Sequence, residues 1–228
     1  MGLVDQLGTI PLFQGLPRDQ IAEIAGITVE QKYQRGQTLF SEGSKAGGFY
    51  VIVSGKVKIF KLSLEGKEQI LHIFGGGELF GEVPVFAGGQ YPAHAEALEA
   101  TRVLFLSRDG FVRLIQKEPS LAMNMLGILC HRLRRFTHLV EDLSLKEVPG
   151  RLAAYLLYLS DRNGGSDHLD LDITKGQLAS LLGTIPETLS RILGRMSQQG
   201  LIQVDGRVIV LLDKEALESL AAGEKMVA

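Results

Sequence analysis

The chain has 228 residues, room for two domains with separate cores at about 100–150 residues each. Its one cysteine, Cys130, excludes an intramolecular disulfide framework and a multi-cysteine metal site, so no iron–sulfur cluster is expected. A formal net charge of −2 argues neither for nor against nucleic acid; with no charged-then-apolar leader and no membrane-length apolar run, the chain is expected in the cytoplasm with no membrane partner.

Residues 1–30 read as a short helical entrance, with Pro17-Arg18-Asp19 opening a stretch that places Ile21, Ile24 and Ala25 at helical spacing. From Tyr33 to Leu106 the period changes to that of short strands, FYVIVSG, KVKIFKL, QILHIF and RVLFL, separated by glycine-marked turns such as SEG, LEG and FGGGE. Several short strands at this spacing indicate a small β-barrel or jelly roll. The loop from Gly81 to His94 is placed to enclose a ligand. Residues 1–118 are assigned to this effector-sensing domain with its entrance helix.

Pro119 introduces a long helix in which Leu126, Leu129, Leu133, Phe136, Val140 and Leu143 step by threes and fours. That narrow seam is the pattern of a coiled coil, and hence of a homodimer. The alternative is a helix packed against its own barrel, which would normally carry a wider stripe. Cys130 in this helix is expected to be a buried packing residue. Ser144 to Gly150 should break the helix, with Pro149-Gly150 marking a hinge, so residues 119–146 are assigned to the dimerisation helix and hinge.

Residues 147–228 form the last predicted domain. They carry 8 Lys/Arg against 11 Asp/Glu, a formal −3, so any DNA affinity must come from local placement of Lys175, Arg191, Arg195 and Arg207. An apolar-faced helix, RLAAYLLYLS, is followed by the loop NGGSD and a short strand in LDLDI. Counting from Lys175, Ala179 falls fifth, Gly183 ninth and Leu189 fifteenth, the spacing of two helices packed around a tight turn. Leu178, Ala179 and Leu182 would form the inner stripe of the first helix; Leu189, Ile192, Leu193 and Met196 that of the second.

Glu187, Ser190 and Arg191 then project from the opening turns of the second helix, where a recognition helix meets base edges. Arg can fork onto guanine, Glu can accept from cytosine and Ser can play either part. Thr188 and Lys175 suit phosphate, and Thr174 and Arg195 complete the DNA-facing set. A plainer reading is also open, since Thr184-Ile185-Pro186-Glu187 fits a capping box and Glu187 with Arg191 an exposed ion pair. The next segment, LIQVDGRVIVLL, reads as two strands joined at Asp205-Gly206, which makes the whole a winged helix with double-stranded DNA as partner. An enzyme reading is weaker. His72, Glu78, Glu82, His94 and Glu96 lie in a barrel of cupin-like shape, but there is no paired-His metal motif and no nucleophile–base set, so the chain is not expected to be an enzyme.

The turn Ser54-Gly55-Lys56-Val57, the loop Gly77-Glu78-Leu79-Phe80-Gly81-Glu82, the long helix and Glu187-Thr188-Leu189-Ser190-Arg191 together resemble the CRP/FNR family of bacterial transcription regulators. The resemblance covers nearly the full chain. It implies an α+β protein: an N-terminal cyclic-nucleotide-binding-like β-barrel (jelly roll), a long dimerisation helix and a C-terminal winged helix-turn-helix. It also implies RNA polymerase and a small-molecule effector as partners. The Glu-x-x-Ser-Arg pattern is similar to that of members reading TTGA-containing half-sites, with Arg191 on guanine, Glu187 towards the opposing cytosine and Ser190 on a neighbouring base.

Departures from the family pattern matter as well. Where cyclic-AMP binders have an Arg-Ser pair on the phosphate, this chain has Pro92-Ala93, and a polar pair on the long helix is replaced by Phe136 and Thr137. The effector site expected around Gly81, Glu82, Pro92, Ala93, His94, Phe136 and Thr137 is therefore not expected to take cyclic AMP. The segment from Tyr91 to Ala97, the Pro186 to Arg191 motif and the hinge look most like the DNR and HcpR branches, which respond to nitric oxide with haem as the suggested sensing group. Haem thus becomes a candidate cofactor. His72, His94, His131 and His138 are its candidate ligands, and no spacing selects one of them.

Overall fold

The computed structural model describes residues 2–223, apart from the side chains at 135 and 142. Two compact units divide the chain, Met1–Leu133 and Arg134–Ala228.

The first unit opens with helix α1 (Leu3–Gly8), a single 3-10 turn (Pro11–Phe13) and helix α2 (Arg18–Gly26). Eight strands follow: β1 (Thr28–Tyr33), β2 (Thr38–Phe40), β3 (Gly48–Ser54), β4 (Val57–Leu62), β5 (Glu68–Phe74), β6 (Leu79–Phe80), β7 (His94–Ala97) and β8 (Thr101–Ser107). They build a β-sandwich of two antiparallel four-stranded sheets, ordered β1-β8-β3-β6 and β2-β7-β4-β5. The unbroken apolar run in β3 has a direct cause. Phe49 and Val51 face one core, with Phe13, Leu104, Leu106 and Phe111, while Tyr50 and Ile52 face the other, with Phe40, Val57, Phe80 and Val103. A strand covered on both sides cannot show the polar alternation of a half-exposed one.

Strand β1 starts before the expected onset at Tyr33. Its sequence, TVEQKY, is mostly polar because it pairs only with β8 and leaves Val29 and Glu30 exposed at the sheet edge. Within the loop between β6 and β7 lies a short helix, α3 (Val83–Ala87). Helix α4 (Arg108–Lys117) then leads to the long helix α5 (Ser120–Leu145).

The opening of α5 packs on its own unit: Leu121 and Met125 are buried in the outer core, with Ile128 and Leu129 against it. The packed-helix reading therefore holds for this stretch, and Leu129 is not part of an open seam. Cys130 is exposed rather than buried, because it lies on the side of the helix turned away from that core.

In the second unit the long helix is interrupted within residues 144–150 as expected, but before Pro149-Gly150 rather than at it. Helix α5 runs to Leu145 and helix α6 (Val148–Arg162) begins after only Lys146 and Glu147, with Pro149 in its first turn. Proline is tolerated there because the N–H it lacks would have no helical acceptor. Gly150 serves close packing: a Cβ at this position would lie 2.7 Å from the Leu220 carbonyl oxygen of helix α9 (Lys214–Ala221). Strand β9 (His168–Asp170), helices α7 (Lys175–Leu181) and α8 (Pro186–Gln198), and strands β10 (Ile202–Asp205) and β11 (Val208–Leu211) complete the unit. The strands form one antiparallel sheet, ordered β10-β11-β9. Asp205 pairs with Val208, so the turn residues are Gly206 and Arg207, one position later than the expected Asp205-Gly206.

Candidate functional site

The helix-turn-helix is built as its spacing required. Gly183 takes φ +66 between the two helices, a conformation costly for a side chain with a Cβ. Leu178, Ala179, Leu182, Leu189, Ile192, Leu193 and Met196 are all buried. Thr174 caps α7: its hydroxyl accepts from the Gln177 backbone N–H at 3.2 Å, and the Gln177 side-chain oxygen accepts from the Thr174 N–H at 2.8 Å. The expected DNA contact at Thr174 is thus a helix cap first.

On the outer side of α8, Glu187, Ser190 and Arg191 are exposed, as are Lys175 and Arg195, while Thr188 is half-buried. Neither plain explanation of this face is realised. Helix α8 starts at Pro186 with Ile185 as its N-cap and no side-chain capping bond, so Thr184 and Glu187 form no capping box. Among the described residues, no ion pair joins Glu187 to Arg191. The trio projects from the first two turns of a 13-residue helix whose other face is core. Arg207, the wing cation, is partly committed, since its Nε donates to the Leu171 carbonyl at 2.8 Å.

The edge of the sandwich holds a second polar constellation. Glu82, 4 % exposed, follows Gly81 and is met by Arg132 of α5, whose guanidinium pairs with the Glu82 carboxylate and donates to the Leu79 carbonyl. The same guanidinium lies 4.8 Å from the centre of the Phe74 ring, so an aromatic face supports the cation. Sequence reasoning placed Phe136 and Thr137 at this site and missed Arg132. The available signal was an Arg one helical turn before Phe136.

Phe136 and Thr137 belong to the other unit, and both are exposed. The exposed Pro92 accepts at its carbonyl from Lys61 Nζ at 2.9 Å, Ala93 is buried, and His94 stacks on Phe60 with ring centres 5.1 Å apart. His94 Nδ1 also accepts from the Glu42 N–H at 3.4 Å. Behind these groups the sandwich interior is aromatic: Phe40 stacks on Tyr91 at 3.8 Å and Tyr50 on Phe80 at 5.2 Å, and the Tyr91 hydroxyl donates to the Gly48 carbonyl at 2.9 Å. Burial pushes the Tyr50 and Tyr91 phenols above the usual tyrosine range, so both stay protonated hydrogen-bond donors.

The candidate haem ligands do not converge. His72 meets Phe74 edge-on at 4.2 Å with its Nε2 3.8 Å from Glu78, His138 Nδ1 lies 3.6 Å from Glu141, and His131 is exposed on α5. Among the described residues, no group of three His, Cys, Asp or Glu is arranged to hold a metal ion. An axial ligand needs an apolar cavity beside it, and His72 and His94 are instead set beside carboxylates and aromatic rings. Among the described residues, no helix is long and apolar enough to cross a membrane.

Comparison with known proteins matches residues 30–118 to the cyclic nucleotide-binding domain and residues 150–220 to the Crp-like helix-turn-helix domain. The chain is 32% identical over 210 residues to the CRP-like cAMP-activated global transcriptional regulator of Mycobacterium tuberculosis, covering 90% of this chain and 94% of the relative. It is 31% identical over 214 residues to the fumarate and nitrate reduction regulatory protein of Escherichia coli, covering 92% and 84%. The structure of FixK2 from Bradyrhizobium japonicum, 26% identical, superposes with a TM-score of 0.76 over 87% of this chain and 100% of that one.

Proposed function

The chain belongs to the CRP/FNR family of DNA-binding transcription regulators, and from that premise we propose that it reads a palindromic, TTGA-like site as a homodimer, acting with RNA polymerase. The observation that carries this reading is the exposed Glu187, Ser190 and Arg191 face of α8, which neither a cap nor an internal ion pair explains. Arg191 is assigned to guanine, Glu187 to the cytosine side and Ser190 to a neighbouring base, with Lys175 and Thr188 on phosphate.

The second copy is called for by α5. Leu126, Leu133, Phe136, Val140 and Leu143 are between 36% and 68% exposed in the single chain, an apolar row that water disfavours and a matching row would cover. Two recognition helices held about 34 Å apart would then meet successive turns of DNA. Val140→Glu tests this. Val140 is 63% exposed, so the charge costs little in an isolated chain but is excluded from a seam. Sedimentation should shift from dimer to monomer and affinity for palindromic DNA should fall about a hundredfold or more; a Val140→Glu dimer with full affinity would refute the seam.

We place the effector at the sandwich edge, around Gly81, Glu82 and Pro92 to His94, with Arg132 added; haem stays a candidate cofactor, with no one of His72, His94, His131 and His138 singled out as its axial ligand. Cyclic AMP is the effector named for relatives from Mycobacterium tuberculosis and Thermus thermophilus. For this chain it is disfavoured, since Pro92-Ala93 offers no fork to a phosphate and Arg132 is already engaged by Glu82. Calorimetric titration should show no tight cyclic-AMP binding, and a tight, saturable isotherm would reverse the assignment.

A further inference from the structure

We infer that Ile185 is a base-reading residue that recognises the 5-methyl group of a thymine beside the base pairs met by Glu187 and Arg191. The inference rests on α8 being the helix that enters the groove.

Ile185 is the N-cap of α8, the position where Ser, Thr, Asp and Asn are favoured because their side chains satisfy the first free N–H groups. Isoleucine makes no such bond here, and no side chain replaces it. Nor does burial compensate, since Ile185 is 50% exposed. A β-branched apolar residue therefore stands, half in solvent, two positions before Glu187 on the end of α8 that carries the exposed trio. Folding alone gives no reason for it.

Its stiffness suits a contact. The residue before a proline is driven out of the helical region, and Ile185, followed by Pro186, sits at φ −108 and ψ 153. Its branched Cβ further restricts χ1. A side chain restricted in this way loses little freedom on binding. In the major groove the apolar feature that distinguishes one base from the others is the thymine methyl, and apolar side chains read it.

The test uses the full chain and the DNA site recovered from a random pool, with each thymine of the half-site replaced in turn by deoxyuridine, which lacks only the methyl. Loss of one buried methyl should weaken binding by the unmodified protein about fourfold at one thymine per half-site. Ile185→Ser should bind the thymine and deoxyuridine sites equally. It should also melt no lower than the unmodified protein, because serine is the better cap, whereas a purely structural isoleucine would leave a less stable variant. Indifference of the unmodified protein to deoxyuridine at every thymine, or an undiminished penalty in Ile185→Ser, would overturn the inference while leaving the Arg191 assignment standing. Unchanged discrimination at every base pair by Arg191→Ala would instead overturn the placement of α8 and the inference with it.

Discussion

Arg132→Met should lower the stability of the first unit by about 3–5 kcal/mol, because it strands the Glu82 carboxylate where water cannot reach it. The ion pair itself need not stabilise the fold. Two charges taken out of water lose solvation that their attraction only roughly restores, so the double variant Glu82→Gln with Arg132→Met should recover most of the loss. Urea unfolding of the three variants separates these terms. A single Arg132→Met variant that unfolds with the unmodified protein would show that Glu82 is not dependent on its partner. The contact also joins the long helix to the loop that holds α3 at one buried point. A ligand that competes for Glu82 or Arg132 must act on that join, which gives the proposed effector a physical route to α5.

Arg191→Ala should cost about 1–3 kcal/mol for the preferred base at one pair in each half-site, and almost nothing on DNA that already carries another base there. The asymmetry is the informative part. A phosphate-binding arginine would lose the same affinity on every sequence, while a guanine fork loses it only where guanine is present. Arg191 is well suited to such a comparison because it is exposed and its helix is anchored by Leu189, Ile192 and Leu193 on the opposite face. Removing the guanidinium should leave the fold intact. Equal losses on all sequences would reassign Arg191 to the backbone.

Much of this architecture was legible in the chain because its causes are local. The turn at Gly183 and the two inner stripes around it follow from helical period and from one backbone angle, and the structure keeps each of them. Strand β3 was legible as the run FYVIVSG, while its cover on both faces emerged only from the two cores it meets. Edge strand β1 was not legible, since a strand with one neighbour and a solvent face carries few apolar residues.

The Arg132 contact was missed for a different reason: its partner lies fifty positions away, and one of the three arginines at 132, 134 and 135 looks like any solvated cation. Cys130 was misplaced because the heptad pattern describes a face of α5 without saying which side the sandwich covers. At Pro149 the expectation of a hinge followed from proline as a helix breaker; as part of a first turn it starts one instead. Ile185 passed as part of a capping motif until the helix boundary showed which residue occupies the cap.

If two copies of α8 read DNA together, binding sites selected from a random DNA pool by the purified full chain will carry their symmetry. The recovered sequences should be palindromes, with TTGA-like half-sites whose centres lie about one helical turn, roughly 10 base pairs, apart. Recovery of single asymmetric half-sites, or of sequences with no shared pattern, would contradict that pairing.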